Sequence, residues 1–296
     1  MRFAILASPE SWYLRDLRRA APVGTEVVAL PFSNIASSLT ATGLSVTSRV
    51  GDEVYPWSEF DAVLVRTMPP GSLEQVIFRM DALGQYEAAG GIVVNSARSI
   101  EVAVDKFLTT AKLQAAGLIV PRTIVCQTVD DALDAFDQLG GDMVIKPLFG
   151  GEGRGISRVN DRDIARRVCQ LLTQLGAVLY LQEFIAHDGF DIRIMWIGDE
   201  YLAMRRHNPL DWRTNVSRGA VAERFEPTVE MIEMARRAAM AVGAGIAGVD
   251  LLPTSDGRLL ALEVNAVPGW QALSRVTGVD VAAVVWNYIE QRVRNR

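Results

Sequence analysis

Residues 248–265 read Gly-Val-Asp-Leu-Leu-Pro-Thr-Ser-Asp-Gly-Arg-Leu-Leu-Ala-Leu-Glu-Val-Asn. Two apolar runs flank Asp256-Gly257, a favoured two-residue hairpin turn. With those residues as the turn, Ser255 faces Arg258, and counting outward sets Asp250 opposite Glu263. Their Cβ atoms would lie roughly 4.5–5.5 Å apart on one face. Asn265, two residues on, shares that face. Gly248 stands opposite it and leaves open space. Like charges directly opposite repel, so a compensating cation is expected. Hard cations such as Mg²⁺ take oxygen ligands and keep waters and substrate phosphates around them. Asp250, Glu263 and Asn265 are therefore candidate metal ligands, against the plainer reading of solvated strand ends. A turn one residue longer or shorter would send Asp250 to the other face.

A second stretch, Lys146-Pro-Leu-Phe-Gly-Gly-Glu-Gly-Arg-Gly155, follows the apolar run Met143-Val-Ile and precedes the strand-like Ile156–Val159. It is not a P-loop, because no Lys-Ser or Lys-Thr follows the glycines. It is not a dinucleotide fingerprint either, which runs from strand to helix. A glycine loop between two strands fits a flap whose backbone N–H groups close over phosphates. Lys146 would add a point charge. An ordinary mobile hairpin loop is the alternative.

The remaining numbers narrow the class. The chain has 296 residues, 49% hydrophobic, with a formal net charge of −5. That is enough for two or three domains and lacks the basic excess of a nucleic-acid protein. Cys126 and Cys169 are the only cysteines, too few for a disulfide framework or a four-thiolate zinc site. With His187 and His207 they would form a site only if the fold gathered all four. Phe3–Ala7 is too short for a signal peptide and reads as a first buried strand. Ala238–Val249, the longest run of apolar residues and glycine, falls short of a bilayer span. A soluble, cytoplasmic protein is expected.

Residues 1–98 alternate strand-like and helix-like runs, which predicts a small α/β domain. Ser72 would cap a helix with Leu73, Val76, Ile77 and Met80 at helical spacing. Ser99 would cap a second helix, running to Gly117 with Lys106 inside it. Strands over 120–126, 143–146, 156–159 and 178–184, with helices capped by Thr128 and Asp161, predict an α+β block. Gly198-Asp199 marks a further hairpin. A polar, irregular segment follows from Arg205 to about Arg224, then helices over 228–242 and 281–292.

Two lysines, a glycine flap and a carboxylate hairpin suggest a Mg-nucleotide site. The chain resembles the ATP-grasp superfamily, in particular the RimK-like glutamate ligases. The matching stretches are Asp105-Lys106, residues 146–155, Leu181-Gln-Glu-Phe-Ile185, Asp191-Ile-Arg193, Trp212-Arg-Thr-Asn215, Ala247-Gly-Val-Asp250 and Glu263-Val-Asn-Ala-Val-Pro-Gly269. They occur in the family's order over about residues 99–285. The resemblance implies α/β and α+β architecture: an N-terminal α/β domain (1–98), a small lobe carrying the flap (99–185) and a C-terminal lobe carrying the hairpin (186–296), the two lobes enclosing ATP. It implies that Lys106, Lys146 and the flap residues Gly150, Gly151, Glu152, Gly153 and Gly155 hold phosphates. Gln182, Glu183, Phe184 and Ile185 would present backbone groups to adenine, and Asp191 would bond the ribose. Asp250, Glu263 and Asn265 would bind two Mg²⁺ ions, or Mn²⁺ in their place. Arg193 and Arg213, with Asn215 beside them, look like clamps on the γ-phosphate and an acyl phosphate.

The resemblance also implies the chemistry. A carboxylate attacks the γ-phosphate of ATP, giving an acyl phosphate that the amine of L-glutamate then attacks. Residues 66–83 and the form of the flap are similar to the tetrahydromethanopterin:glutamate ligases within the group. The implied acceptor is a tetrahydromethanopterin-type pterin; a ribosomal protein C-terminus or another cofactor tail is the alternative. A non-catalytic ATP-binding module and a kinase that stops at phosphorylation are the readings outside the ligase class. No nucleic-acid or membrane partner is expected, and the family points to a homo-oligomer.

Overall fold

The computed structural model describes residues 1–41, 43–151 and 153–295. The chain opens with β1 (Arg2–Leu6), α1 (Trp12–Arg19) and β2 (Glu26–Leu30). An antiparallel meander follows: β3 (Ile35–Thr40), β4 (Gly43–Val50) and β5 (Glu53–Pro56). Then come β6 (Ala62–Val65), α2 (Leu73–Ala88) and β7 (Val93–Val94). Strands β2-β1-β6-β7 form a parallel sheet. The continuous apolar runs of β1 and β6 suit a sheet covered on both faces, and both strands are almost wholly buried. The expected alternation of strands and helices is observed. The meander, rich in serine and threonine, was not expected.

Ser72 caps α2 in a capping box with Gln75. The expected apolar stripe is only half used. Met80 is buried with Leu83 and Tyr86, whereas Leu73 is 76% exposed and Ile77 50%. The second helix is also two helices, α3 (Ala97–Val104) and α4 (Lys106–Ala115). Ser96 caps α3, and Ser99 lies inside it, donating to the Gly243 carbonyl. Asp105 breaks the run and caps α4 by accepting from the Leu108 N–H. Lys106 is thus the first residue of a helix, where unpaired N–H groups favour anions.

The middle block runs β8 (Thr123–Cys126), α5 (Val129–Gln138), β9 (Met143–Lys146), β10 (Ser157–Val159), α6 (Arg162–Gln174) and β11 (Leu179–Glu183). Its antiparallel sheet has the order β10-β9-β11-β8. Helices α5 and α6 cover one face around Phe136, Leu139, Ile145 and Leu181.

The last block runs β12 (Phe190–Ile197), β13 (Glu200–His207), β14 (Val221–Arg224), α7 (Val229–Val242), β15 (Ile246–Pro253), β16 (Leu259–Asn265), α8 (Gln271–Thr277) and α9 (Val281–Arg294). Its sheet has the order β14-β13-β12-β15-β16. The segment expected to be irregular supplies the edge strand β14. Helix α9 returns to the N-terminal sheet, where Trp286 packs with Phe3 at 5.0 Å between ring centroids. No described helix is long and apolar enough to cross a membrane. Cys126 and Cys169 are free thiols.

Candidate active site

The turn of the β15–β16 hairpin is not the expected one. Thr254 N–H donates to Arg258 O at 2.9 Å and Gly257 N–H to Thr254 O at 3.0 Å. Three residues form the loop, with Gly257 at φ 85°, a three-residue hairpin with glycine in the left-handed region. The register is accordingly one residue off near the turn, with Leu251 opposite Ala261. A bulge then restores it: Leu262 is the extra residue, Asp250 faces Glu263, and Gly248 faces Asn265. Two offsets of one residue cancel, so the predicted carboxylate pair stands. The space above Gly248 is not open, however. A Cβ there would lie 2.9 Å from Pro268 Cβ and 3.8 Å from the Arg193 guanidinium carbon.

Neighbouring strands add a ladder of charge. Arg193 on β12 lies opposite Asp250 on β15 and grips it with both forks, Nε–Oδ1 2.6 Å and Nη2–Oδ2 2.6 Å. Two residues back, Asp191 faces Arg206 on β13, which donates to it at 2.7 and 2.5 Å. Arg206 Nη2 also reaches Asp250 Oδ2 at 3.0 Å. Thr214 Oγ1 donates to Asp191 Oδ2 at 2.5 Å. Burial alone would raise the Asp250 carboxyl, but Arg193 and Arg206 outweigh it and hold it below the usual range. Burial likewise opposes the charge on Arg206, and Asp250 and Asp191 outweigh it and keep it protonated. Asp191 lines the pocket, yet both its oxygens are engaged by Arg206 and Thr214. A ribose hydroxyl would have to share them.

Sequence reasoning missed Arg206, although the signal was present. Taking Gly198-Asp199 as a two-residue turn sets Arg206 opposite Asp191, as observed.

Glu263 has no hydrogen bond or ion pair among the described residues. Lys106 and Lys146 are the cations whose fields it shares. Lys106 donates to Gly150 O at 2.6 Å, and Lys146 to Gln182 Oε1 at 2.5 Å. Burial lowers the Lys146 ammonium to about 8, with Glu263 offsetting part of the effect. Among the described residues no three His, Cys, Asp or Glu side chains cluster as metal ligands. The oxygen set is two carboxylates and an amide, and an unpartnered carboxylate in a pocket of cations fits a hard divalent ion.

The flap joins β9 to β10 and lies down on the segment after β13. A Cβ on Gly153 would fall 2.5 Å from Asn215 Oδ1, and one on Gly155 2.8 Å from Pro147 Cγ. Arg218 Nη2 donates to Gly153 O at 3.2 Å, and Arg213 Nη1 to Ile156 O at 3.5 Å. Arg213 is held by Asp211, Nη2–Oδ2 2.5 Å, a partner the sequence reading did not name. Glu152 lies outside the described residues.

Beneath the flap lies a pocket that opens to solvent. It brings together Lys106, Lys146, Gly150, Gly151, Gly153, Gln182, Glu183, Phe184, Ile185, Asp191, Arg213, Asn215, Asp250 and Glu263. Gly155, Arg193 and Asn265 stand behind this lining, Arg193 through Asp250. The Glu183 carboxylate turns away to Arg122, at 2.8 Å from its N–H and 2.6 Å from Nε. Only the backbone of Glu183 is therefore offered to a ligand. Phe184 lies under the Arg158 guanidinium at 3.4 Å and edge-on to Trp212 at 5.7 Å. Trp212, His187 and Thr214 also line it, residues to which the sequence reading gave no role in the site.

Solved structures place this arrangement. ATP-grasp ligase PsnB, complexed with minimal precursor, Mg and ADP, matches 99% of this chain and 98% of its own with a TM-score of 0.72 at 20% identity. A RimK domain ATP-grasp protein from Sphaerobacter thermophilus matches 97% and 99% with a TM-score of 0.74 at 25% identity. The fold is ATP-grasp. Residues 103–289 match the RimK-like ATP-grasp domain, and the chain belongs to that family of ligases. It is 31% identical to the tetrahydromethanopterin:α-L-glutamate ligase of Methanosarcina acetivorans, over 96% of this chain and 97% of that protein. It is 34% identical to a ribosomal protein bS6–L-glutamate ligase of Escherichia coli, over 78% and 77%.

Proposed function

We propose that this protein is an ATP-dependent ligase that joins L-glutamate to the terminal carboxylate of a tetrahydromethanopterin-type pterin. The observation that carries the reading is the Asp250–Glu263 pair facing two lysines beneath a glycine flap. The likeness to the archaeal ligase extends over 96% of the chain and so includes the N-terminal domain. The likeness to the bS6 ligase covers 78%. That difference favours the pterin over the ribosomal-protein tail.

In this reading Lys106, Lys146 and the flap N–H groups hold the triphosphate, and adenine lies against the backbone of Gln182, Glu183, Phe184 and Ile185. Asp250, Glu263 and Asn265 hold two divalent ions, Mg²⁺ or Mn²⁺. When bound, these neutralise charge on the transferring phosphoryl group. The acceptor carboxylate oxygen attacks the γ-phosphorus and ADP leaves. Arg193 and Arg213, with Asn215, clamp the resulting acyl phosphate. The glutamate amine attacks the acyl carbon, an amide forms, and phosphate departs. The closed flap keeps water from the acyl phosphate. The three-part division at residues 98 and 185, a cytoplasmic location and a homo-oligomeric state belong to the same proposal.

The test is phosphate release from MgATP and L-glutamate with three acceptors: the pterin, a glutamyl-deazaflavin and a ribosomal-protein C-terminal peptide. Product mass is read in parallel, with Glu263→Gln as control. A glutamyl mass gained by the pterin alone, and lost in the variant, is expected. ATP binding without turnover on any acceptor would sink the ligase assignment in favour of a binding module. Hydroxylamine-trapped acyl phosphate without amide would indicate a kinase.

A further inference from the structure

Asp250 is nearly saturated by its arginine partners. A carboxylate offers about four lone-pair directions. Arg193 takes one on each oxygen at 2.6 Å, and Arg206 takes a third at 3.0 Å. A divalent ion shared with Glu263 needs room on the same oxygens. One direction is left, so an ion that takes both oxygens of Asp250 has to displace an arginine.

The two arginines are not equivalent. Arg206 has a side chain only 4% exposed and is bound through two nitrogens to Asp191, which is equally buried. Moving Arg206 would strand Asp191, whose remaining partner is the Thr214 hydroxyl. Its bond to Asp250 is the longer one, but its hold on Asp191 keeps it in place. Arg193 is 15% exposed, and Asp250 is its only hydrogen-bonded carboxylate among the described residues. It leaves no second acid behind.

Charge balance selects the same residue. Asp191 and Asp250 are matched by Arg206 and Arg193. Glu263, present throughout, adds one negative charge, and a doubly charged ion that displaces Arg193 makes the set neutral. If Arg193 stays, a net positive charge is trapped in a buried site, which is costly.

We propose that Arg193 is an exchangeable counter-ion that stands in for the metal at Asp250, and that Arg206 is the positioning residue that holds Asp250 in both states. The inference rests on the assignment of Asp250 and Glu263 as metal ligands. The incoming divalent ion releases the Arg193 guanidinium, which then meets the phosphoryl oxygens. Arg193 thus acts as a clamp only after the cation site is filled.

Mn²⁺ binding, followed by the electron paramagnetic resonance signal of the free ion, tests this without turnover. With ADP present, Glu263→Gln should lose Mn²⁺ from the protein; retention there would overturn the metal-ligand assignment itself. Without nucleotide, Arg193→Met should bind Mn²⁺ about tenfold more tightly than the native protein. Arg193→Lys, whose single ammonium cannot cover both oxygens, should fall between. Arg213→Met removes a charge from the same pocket but not from Asp250, and should change little. The exchange is overturned if Arg193→Met binds Mn²⁺ no more tightly, including if neither protein binds it detectably. It is equally overturned if Arg213→Met gains as much, because the effect would then be charge alone.

Discussion

Lys146 donates to the amide oxygen of Gln182 at 2.5 Å, and among the described residues no carboxylate lies within ion-pair distance of it. Burial has therefore moved its ammonium from 10.5 down to about 8. Phosphate oxygens in the pocket would favour the charged form and raise it again. Nucleotide binding near pH 8.5 should take up a substantial fraction of one proton. Calorimetry in buffers of different ionisation enthalpy measures this, and Lys146→Met should abolish the uptake. The sign for stability is the reverse of the usual lysine case, in which a partner raises the folded-state value. Between about pH 8 and 10.5 the unfolded chain holds more protons at this lysine than the folded one. Its contribution to stability therefore rises with pH across that window. An unchanged proton count on binding would mean that Lys146 does not meet the nucleotide.

The flap glycines separate into those that need to be glycine and those that do not. Gly153 has φ 69°, and an added Cβ would strike Asn215 Oδ1 at 2.5 Å. Gly151 has no positive φ and open space around it. Gly153→Ala should lower kcat/KM for ATP about tenfold or more, from about 1–3 kcal/mol of backbone strain and lost closure. Gly151→Ala should stay within about twofold, a few tenths of a kcal/mol. Steady-state kinetics at varied ATP checks both, and equal effects would mean that the flap does not dock on Asn215 during turnover.

The Asp191–Arg206–Asp250 cluster should dominate the stability of the five-stranded sheet that carries it. Arg206→Met leaves two buried carboxylates short of a cation, which costs about 3–5 kcal/mol when a buried pair is broken on one side. Thr214→Val removes one hydrogen bond to Asp191 and should cost about 1–3 kcal/mol. Urea unfolding monitored by tryptophan fluorescence ranks the two. A Thr214→Val loss equal to that of Arg206→Met would argue that Asp191 is protonated and the ion pair unimportant.

Much of this site was legible because strands carry their register in the sequence. Asp250 and Glu263 could be paired by counting from a turn, and Arg206 with Asp191 by the same arithmetic. The first pairing nevertheless held through two cancelling offsets. A three-residue turn and a bulge at Leu262 look identical, in sequence, to the two-residue turn without either. The break at Asp105 was hidden because apolar spacing runs on through α3 and α4, and only the capping bond to Leu108 marks it. The exposure of Leu73 and Ile77 was equally hidden, since helical spacing names a face without naming what lies against it. The meander of β3–β5 alternates small polar residues with few apolar ones, so its strands carry little period-two contrast. The return of α9 to the N-terminal sheet depends on contacts hundreds of residues apart, which no local pattern encodes.

Arg66 shows a residue held against the interest of stability. It follows the strand β6, is 6% exposed, and has no carboxylate partner among the described residues. Its guanidinium stacks at 4.3 Å on Trp270 and 5.0 Å on Tyr13, Nη2 donates to Pro268 O at 2.7 Å, and Nε is buried without a partner. Burial pushes it down to about 10. What it holds is the loop that leaves Asn265, which Asn95 also grips through Ala266 O at 2.6 Å. Pro268 in turn closes the space above Gly248 beside Arg193. A well-packed apolar replacement for a buried charge is often neutral or stabilising by about 1–4 kcal/mol. Arg66→Met should therefore keep or raise the melting temperature while lowering kcat. The loss should appear in kcat more than in KM for ATP, because Arg66 does not line the pocket proposed for the nucleotide. Arg66→Lys should recover part of kcat, since an ammonium can still donate to the Pro268 carbonyl. A variant that melts earlier and keeps its kcat would reduce Arg66 to packing. A variant that gains stability and loses turnover would place the N-terminal sheet in control of how Asn265 and Arg193 are presented.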